Sequence, residues 1–295
     1  MRIAVTGATG FVGGAVARAA ADAGWQVHAF GRGQWDIDRG PLPDPPAVDA
    51  VVHCAAAVND WGPAAPTWRT NLDGAWHVAE SFPGVRLVHI SSASVYDPFV
   101  PTVYAREEAA PVSRYLTAYA ASKAAAERLL ASRSATVVLR PHAVYGPGDR
   151  VLLPRILGAI RGTNLWIVGD GRAHQSLTAI GNLVDAALRA CEPDAPPGVY
   201  NVADAEPVAV ADALRELLAV RGLRVGVRTL PARPTWAVAG AVEAAWRLAR
   251  RPEPPRLTRY AIAHLAMERT LDLTAARTRM GLRPAPTSFA GAETW

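Results

Sequence analysis

The chain has 295 residues, and 50% of them are hydrophobic, so it can bury a substantial core in one large domain or two coupled domains. The net charge is +5 and the pI is about 9.6, but the arginines are spread along the chain with no run longer than Arg250-Arg251, which argues against a nucleic-acid partner. The two cysteines, Cys54 and Cys191, provide neither a disulfide framework nor metal-site spacing, and they fit a reducing cytoplasm.

The sequence predicts neither a signal peptide nor an integral membrane segment. Met1–Val5 already has the pattern of a buried strand. The apolar run Trp236–Val242 stops at Glu243 and is far shorter than the ~20 residues that a membrane span needs. We therefore predict a cytoplasmic protein, and a peripheral membrane contact of this helix stays open.

A glycine-rich turn follows the first predicted strand. Ile3–Val5 precedes the turn, the helix Ala15–Ala23 follows it, and glycines recur at every third position as Gly7, Gly10 and Gly13. Such glycines let the backbone approach a pyrophosphate, which then lies at the N-terminus of the helix. The pattern predicts a dinucleotide site.

The end of the second predicted strand, Gln26–Phe30, bears on the choice of dinucleotide. A free ribose 2′-hydroxyl usually meets Asp or Glu there, but this chain has Gly31 followed by Arg32. A guanidinium without a carboxylate suits a 2′-phosphate, so we favour NADP over NAD, with a solvated Arg32 as the alternative. Trp35–Asp38 is predicted as a short strand, in which Asp36 either binds the adenine amino group or is a plain surface carboxylate.

The next segment, residues 38–49, is too rich in proline for a regular helix. Ala50–Ala57 then has the pattern of a buried strand, and Val58–Gly62 forms its exit loop. Open α/β sheets bind ligands at the carboxyl ends of their strands. Trp61 in this loop is therefore a candidate wall of the substrate pocket, with a packing role as the alternative.

Polar residues continue at the following elements. The predicted helix Pro66–Ser81 carries Asn71, and the predicted strand Val85–Ile90 ends in the hydroxyl-bearing stretch Ser91–Tyr96. Hydroxyls at this end of a strand either face the ligand crevice or cap the exit turn.

The predicted helix Leu116–Leu130 places a phenol and an ammonium on one face, because Tyr119 and Lys123 are four residues apart. Of the 31 Lys and Arg residues, Lys123 is the only lysine, which indicates that this position needs a compact ammonium. A neighbouring ammonium favours the phenolate, so we expect a lowered pKa for Tyr119 that suits proton transfer.

Strands and helices alternate throughout the first half, which predicts an α/β fold with a doubly wound parallel sheet. The helix Ile180–Ala190 and the strand Val199–Val202 could return to this sheet, whereas Pro255–Met280 is predicted to be largely helical. We assign residues 1–147 and 172–202 to a dinucleotide-binding domain. Residues 148–171 and 203–295 form a smaller, discontinuous α/β substrate domain.

Together these segments resemble the extended short-chain dehydrogenase/reductase family over nearly the whole chain. The resemblance rests on Thr6–Gly13, His53–Ala56, Thr70–Gly74, Ser91–Tyr96, the Tyr119 and Lys123 pair, and Leu139–Gly148. It implies a Rossmann-type fold and four catalytic residues, Ser92, Tyr119, Lys123 and Asn71. Tyr119 would exchange a proton with the substrate oxygen, Ser92 would polarise it, and Lys123 would hold the nicotinamide ribose, with Asn71 supporting Lys123 through water.

The resemblance and the motifs also imply two sets of contacts. We expect the cofactor to contact Gly7, Thr9, Gly10, Phe11, Val12, Gly13, Arg32, Asp36, Ile37, Ala55, Ala56, Ala57, Asn71, Ile90, Ser91, Tyr119, Lys123, Pro141, Ala143 and Val144. We expect the substrate to contact Trp61, Ser92, Ala93, Ser94 and His142. For His142, packing is an equal alternative.

Departures from the family pattern narrow the expected substrate. Ala93 and Ser94 stand where sugar-nucleotide dehydratases have an Asp-Glu pair, and Gln175–Leu177 replaces an Arg-Asp-Phe motif that grips a sugar pyrophosphate. An Asn often found at the position of Ala143 is missing as well. Asp60–Gly62 and Arg140–Ala143 instead resemble the 3β-hydroxysteroid-dehydrogenase-like branch.

These features predict an NADP-dependent oxidoreductase that interconverts ketones and alcohols on a hydrophobic or polycyclic small molecule. A nucleotide-sugar epimerase or 4-ketoreductase is the first alternative, and a non-catalytic NADP-binding sensor is the second. The family resemblance also implies a homodimer built from the helices Pro66–Ser81 and Leu116–Leu130.

Overall fold

A computed structural model describes residues 1–295. The strands are β1 (Arg2–Thr6), β2 (Gln26–Phe30), β3 (Ala50–His53), β4 (Arg86–Ile90), β5 (Thr102–Ala105), β6 (Thr136–Pro141), β7 (Val144–Tyr145), β8 (Ile160–Arg161), β9 (Asn164–Val168), β10 (His174–Gln175), β11 (Thr178–Ala179), β12 (Gly198–Val202), β13 (Val208–Ala209), β14 (Gly226–Leu230) and β15 (Arg269–Leu271). The α-helices are α1 (Phe11–Asp22), α2 (Ala64–Trp68), α3 (Gly74–Ser81), α4 (Ala118–Leu130), α5 (Leu152–Gly158), α6 (Ile180–Cys191), α7 (Val210–Val220), α8 (Ala232–Leu248), α9 (Arg259–Ala266) and α10 (Thr274–Arg279). None of these helices is long and apolar enough to cross a membrane.

Six parallel strands form the central sheet, in the order β12-β6-β4-β3-β1-β2. Alternate side chains of each strand point to opposite faces, so Ile3 and Val5 of β1 pack with α1 and α6, while Ala4 packs with α3 and α4. Helices on both faces bury this sheet, which confirms the predicted Rossmann-type α/β fold. The order of the strands changes sides at β1, because β2 lies on one side of β1 and β3 lies on the other. In open α/β sheets a ligand crevice forms at such a switch point.

The prediction of a strand at Trp35–Asp38 is wrong. This segment has no strand pairing, and the indole of Trp35 donates instead to the carbonyl oxygen of Gly40 at 3.0 Å. Trp35 and Ile37 are buried in one hydrophobic cluster with Ala75 and Val78 of α3. Residues 38–49 contain no helix, as expected, because the prolines of this segment disfavour a regular helix.

Two predicted helices are interrupted. The first consists of α2, a π-helical turn over Arg69–Asp73, and α3, so Asn71 lies in the π turn. Pro255–Met280 contains two helices as well as a strand, because β15 separates α9 from α10 and pairs in parallel with β5 and β10. A strand of three residues has no periodicity that the sequence could reveal.

The remaining strands form small sheets beside the carboxyl edge of the central sheet. Their orders are β13-β10-β15-β5, β14-β9-β8 and β11-β7. β12 returns to the central sheet beside β6, as predicted for Val199–Val202. Because β5 lies early in the chain and pairs with β15, the two halves are interleaved, and the proposed domain boundaries stay a prediction.

Candidate active site

The glycine-rich turn after β1 is packed so tightly that it requires glycine. Gly7 has a φ of +67°, and a Cβ there would lie 2.7 Å from the backbone nitrogen of Ala55. A Cβ on Gly13 would lie 2.3 Å from the carbonyl oxygen of Gly7. The turn therefore brings the N-terminus of α1 directly against the end of β3.

A cleft of about 220 Å³ opens beside this turn. It is lined by Thr6, Gly7, Thr9, Gly10, Phe30, Gly31, Arg32, Trp35, Asp36, Ile37, Cys54, Ala55, Ala56 and Thr70. Gly10 precedes α1 without a side-chain cap, and the first turn of α1 has no acidic residue. Free N–H groups and the positive end of the helix dipole therefore face the cleft, which fits the pyrophosphate of a dinucleotide.

The far wall of the cleft carries the residues expected at the adenosine end. Arg32 is exposed there, and its guanidinium has no hydrogen bond or ion pair with the protein. Asp36 forms an ion pair with Arg39 at 3.2 Å and accepts a hydrogen bond from the backbone of Asp38 at 3.2 Å. The carboxylate of Asp36 thus shapes its own loop, whereas Arg32 is free to meet an anion.

Tyr119 and Lys123 project from α4, which begins at Ala118 because the hydroxyl of Thr117 caps it. Lys123 is only 2% exposed, and its ammonium donates to the carbonyl oxygen of Ile90 at 2.7 Å. Burial lowers the pKa of Lys123 to about 8, opposed by the nearby Cys54 and Glu127. The same helix therefore presents the phenol and a largely protonated ammonium.

The prediction that the pKa of Tyr119 is lowered is wrong for the protein without bound ligands. Burial raises the pKa of Tyr119 above its usual value, and only the nearby Ser92 opposes this. The reason is that Lys123 is bonded to the end of β4 and has no bond to the phenol. Tyr119 is consequently protonated at neutral pH.

Ser92 lies at the end of β4, where it caps a short 3₁₀ turn formed by Ala93–Val95. Its hydroxyl oxygen accepts from the backbone N–H of Ser94 at 3.1 Å, and its hydroxyl donates to the hydroxyl oxygen of Ser94 at 3.1 Å. The Ser94 hydroxyl in turn pairs with the phenol of Tyr260 at 2.8 Å. Tyr260 comes from α9, and sequence reasoning missed it because nothing local marks it.

Asn71 is hydrogen-bonded to the helix that carries Tyr119 and Lys123. Its side-chain oxygen accepts from the backbone N–H of Ala57 at 2.8 Å, and its amide donates to the carbonyl oxygen of Ala57 and to the hydroxyl of Ser122. Ser122 donates to the carbonyl oxygen of Tyr119 at 2.9 Å. Asn71 therefore links the exit loop of β3 to the turn of α4 that carries the phenol.

A buried ion pair lies behind these residues and was not predicted. Arg140 contacts Glu127 at 2.6 Å, and the two side chains are almost completely buried. The Ser91 hydroxyl donates a hydrogen bond to the same carboxylate, so this hydroxyl is already bonded to the buried ion pair. Arg140 also donates to the phenol oxygen of Tyr96 and to backbone carbonyls, which satisfies the charge.

Two residues that were predicted to contact the substrate, Trp61 and His142, contact other groups of the protein. The indole of Trp61 donates to the carbonyl oxygen of Arg251 at 3.2 Å, and its ring lies 5.0 Å from the Arg247 guanidinium. His142 is buried, with one ring nitrogen 3.1 Å from the Ser176 carbonyl oxygen and the other 3.1 Å from His264. Burial lowers the pKa of His142 to about 4. Its buried contacts fit the alternative in which His142 packs within the protein.

The comparisons with known proteins agree with this geometry. The NAD dependent epimerase/dehydratase family matches residues 3–203 of the chain. A 2-alkyl-3-oxoalkanoate reductase of Shewanella oneidensis is 31% identical, over 94% of this chain and 81% of that protein. A protein of the same name from Stenotrophomonas maltophilia is 32% identical, over 96% of this chain and 95% of that protein.

Among solved structures, a UDP-galactose 4-epimerase matches with a TM-score of 0.73 at 23% identity, over 100% of this chain and 97% of that one. This likeness shows the fold alone. The family match and the two relatives lead to one assignment. The chain belongs to the NAD dependent epimerase/dehydratase family and is an NAD(P)-dependent oxidoreductase of the extended short-chain dehydrogenase/reductase type.

Proposed function

We propose that this chain interconverts a ketone and an alcohol on a hydrophobic small molecule with NADP as its cofactor. The observation that carries the proposal is the group of neutral, hydroxyl-bearing side chains near the Tyr119 phenol. Ser92, Ser94 and Tyr260 present hydroxyls, and burial raises the pKa of Tyr260 and lowers that of His264 well below its usual range. All these groups are neutral near pH 7, which suits an uncharged carbonyl.

The residues divide the chemistry among them. When bound, the nicotinamide cofactor supplies or accepts the hydride. In the reductive direction Tyr119 donates its proton to the substrate oxygen, and Ser92 donates a hydrogen bond to the same oxygen. The raised pKa of Tyr119 keeps this proton in place until the oxygen gains charge. The Lys123 ammonium then stabilises the resulting phenolate across α4.

The nucleotide-sugar alternative lacks a grip for a pyrophosphate. Gln175 and Ser176 occupy the expected arginine segment, and both are buried in the sheet of β10 and β15. The amide of Gln175 donates to the carbonyl oxygen of Met267 at 2.8 Å, and the hydroxyl of Ser176 accepts from the backbone of Leu271 at 3.0 Å. The two relatives named as reductases of 2-alkyl-3-oxoalkanoates favour a ketone with alkyl chains.

The preference for NADP rests on Arg32. Its guanidinium lines the cofactor cleft, is exposed and has no protein partner. No carboxylate occupies the end of β2 to receive a ribose hydroxyl, since Gly31 stands there. A charge-assisted bond between Arg32 and a 2′-phosphate would therefore distinguish the two cofactors. A non-catalytic sensor with the same preference is disfavoured by the intact pair of Tyr119 and Lys123.

We also propose that the chain forms a homodimer, on the basis of the family resemblance. Its interface would contain α3 and α4 with the π turn between α2 and α3. Trp76 on α3 supports this, because its side chain is 52% exposed although a large indole is normally buried. The cytoplasmic location stays a prediction.

The proposed function is tested with purified protein and two groups of compounds. We expect NADPH to be consumed with 2-alkyl-3-oxoalkanoates or polycyclic ketones. We expect no binding of UDP- or TDP-sugars in calorimetry. Micromolar sugar-nucleotide binding without ketone turnover would contradict the proposal and favour the epimerase alternative.

A further inference from the structure

Helix α8 has an apolar face that the protein leaves exposed. The helix packs inward through Ala239, which joins Val168 and Ile262 in a small core cluster. On the opposite side, positions three and four residues apart share one face. These positions are exposed and all apolar: Pro234, Ala237, Val238, Ala241, Ala244, Ala245 and Leu248. Val238 and Leu248 are 62% and 87% exposed, whereas a surface helix ordinarily turns polar residues to water.

The only acidic residue of α8 faces the protein. Glu243 is 4% exposed, and its carboxylate accepts from the backbone N–H of Arg259 at 2.6 Å and from the Arg259 guanidinium at 3.0 Å. Arg247 forms a second ion pair with the same carboxylate at 3.4 Å. The apolar face of α8 therefore carries no negative charge.

Positive charge lies at both ends of this face. All five arginines among residues 232–256 are exposed: Arg233 in the first turn, and Arg247, Arg250, Arg251 and Arg256 at or beyond the last turn. The only exposed carboxylate in this segment is that of Glu253. An apolar face between guanidiniums is complementary to a bilayer with anionic headgroups, because apolar side chains enter the acyl boundary and arginines meet phosphates.

We propose that the apolar face of α8 is a docking surface for membranes that contain anionic lipids. The helix would lie in the plane of the membrane surface, since no helix of the protein is long and apolar enough to cross a membrane. A second copy of the chain is less complementary, because this face offers no carboxylate to pair with the arginines of another copy.

The docking surface is connected to the proposed active site. The guanidinium carbon of Arg247 lies 5.0 Å from the centre of the Trp61 ring, and the Trp61 indole donates to the carbonyl oxygen of Arg251 at 3.2 Å. Arg259, which is bonded to α8, directly precedes Tyr260 at the site. A docked α8 would hold the exit loop of β3 and helix α9 close to the bilayer, in which hydrophobic ketones dissolve. This delivery of substrate rests on the proposed function, whereas the lipid contact does not.

Vesicle sedimentation with the full chain tests the surface. The wild type should sediment with vesicles of equal parts phosphatidylcholine and phosphatidylglycerol, and much less with phosphatidylcholine alone. Leu248→Glu and Val238→Glu should each weaken binding roughly tenfold or more, because each replaces an apolar contact with a charge that anionic lipids repel. Val103→Glu is the matched control, since Val103 is 60% exposed on β5, and it should bind as the wild type does.

The contribution of charge is tested separately. The double variant Arg233→Gln with Arg250→Gln should weaken binding about fivefold for each arginine removed. Added salt should weaken wild-type binding as well, because it screens the attraction to the headgroups. All variants change exposed side chains, so their unfolding temperatures should equal that of the wild type.

Two results would overturn the proposal: a wild type that does not sediment with the anionic vesicles, or wild-type binding by both Leu248→Glu and Val238→Glu. An oligomer larger than a dimer that Leu248→Glu dissociates, without vesicle binding, would assign the face to a second copy. Vesicle binding without ketone turnover would reject the proposed function and retain the docking surface. Ketone turnover without vesicle binding would reject the docking surface alone.

Discussion

The ammonium of Lys123 donates to the carbonyl oxygen of Ile90 at 2.7 Å and has no bond to the phenol of Tyr119. The end of β4 thus fixes the only lysine of the chain one turn from the phenol. Because Lys123 is buried, its charge acts on the site with little screening by water.

Replacing this ammonium should impair the reaction without unfolding the protein. Lys123→Met keeps most of the side-chain volume and removes the charge, so we expect kcat/KM to fall about 10²- to 10⁴-fold, the range for groups that assist proton transfer. The matched control is Arg128→Met, at the exposed end of the same helix, which should keep most of its activity. Equal activities of the two variants, with equal unfolding temperatures, would remove Lys123 from the mechanism.

The choice of cofactor should depend on Arg32. Arg32→Ala should weaken NADPH binding about 10- to 100-fold, because one charge-assisted hydrogen bond contributes about 1.5–3 kcal/mol, and NADH binding should be unchanged. Binding is measured by the fluorescence of the reduced cofactor. Arg39→Ala, which removes an exposed guanidinium paired with Asp36, should not alter the preference. If Arg32→Ala keeps its preference for NADPH, Arg32 does not bind the 2′-phosphate.

Acid should destabilise the protein through its buried histidines. Burial lowers the pKa of His53 to about 3 and that of His142 to about 4, and it lowers those of His89 and His264 well below the usual value. Below about pH 6.5 the unfolded chain takes up protons that the folded chain does not, so the free energy of unfolding falls as the pH decreases from 6.5 toward 4.

Urea unfolding at several pH values measures this loss. Each such histidine contributes a slope of about 1.4 kcal/mol per pH unit within its window. The two ring nitrogens of His89 have no hydrogen-bond partner, so His89→Gln should remove the contribution of one buried histidine and flatten the slope. A free energy of unfolding that is constant between pH 7 and pH 4.5 would be incompatible with neutral buried histidines.

The proposed dimer should depend on Trp76. Trp76→Glu would place a charge within the interface, so we expect a monomer by light scattering where the wild type is a dimer. Leu248 on α8 is 87% exposed and lies outside this interface, so Leu248→Glu is the control and should stay dimeric. A monomeric wild type, or a dimeric Trp76→Glu protein, would disprove this interface.

The parts of the site that the sequence revealed are those encoded by local spacing. The glycines of the first turn and the pair of Tyr119 and Lys123 each lie within one turn, so their geometry follows from the chain itself. The same holds for β12, whose apolar strand pattern is local and follows α6 after the short loop of residues 192–197. The family resemblance added Ser92 and Asn71, which are far apart in sequence.

The remaining features depend on contacts between distant segments. Tyr260 meets Ser94 across 166 positions, and only the packing of α9 brings the two hydroxyls together. The pKa of Tyr119 could not be predicted either, because the partner of the Lys123 ammonium is a backbone carbonyl that no sequence motif marks. The missing strand at Trp35 has a similar cause, since burial against α3 outweighed its strand propensity.

The central claim is that Tyr119 exchanges the proton with a ketone oxygen, and Tyr119→Phe tests it most directly. Removing the hydroxyl should lower kcat with NADPH and a hydrophobic ketone by about 10²- to 10⁴-fold. The affinity for NADPH should remain at the wild-type value, because the ring and Lys123 stay in place. A Tyr119→Phe protein that binds NADPH normally and reduces the ketone at the full rate would contradict this account.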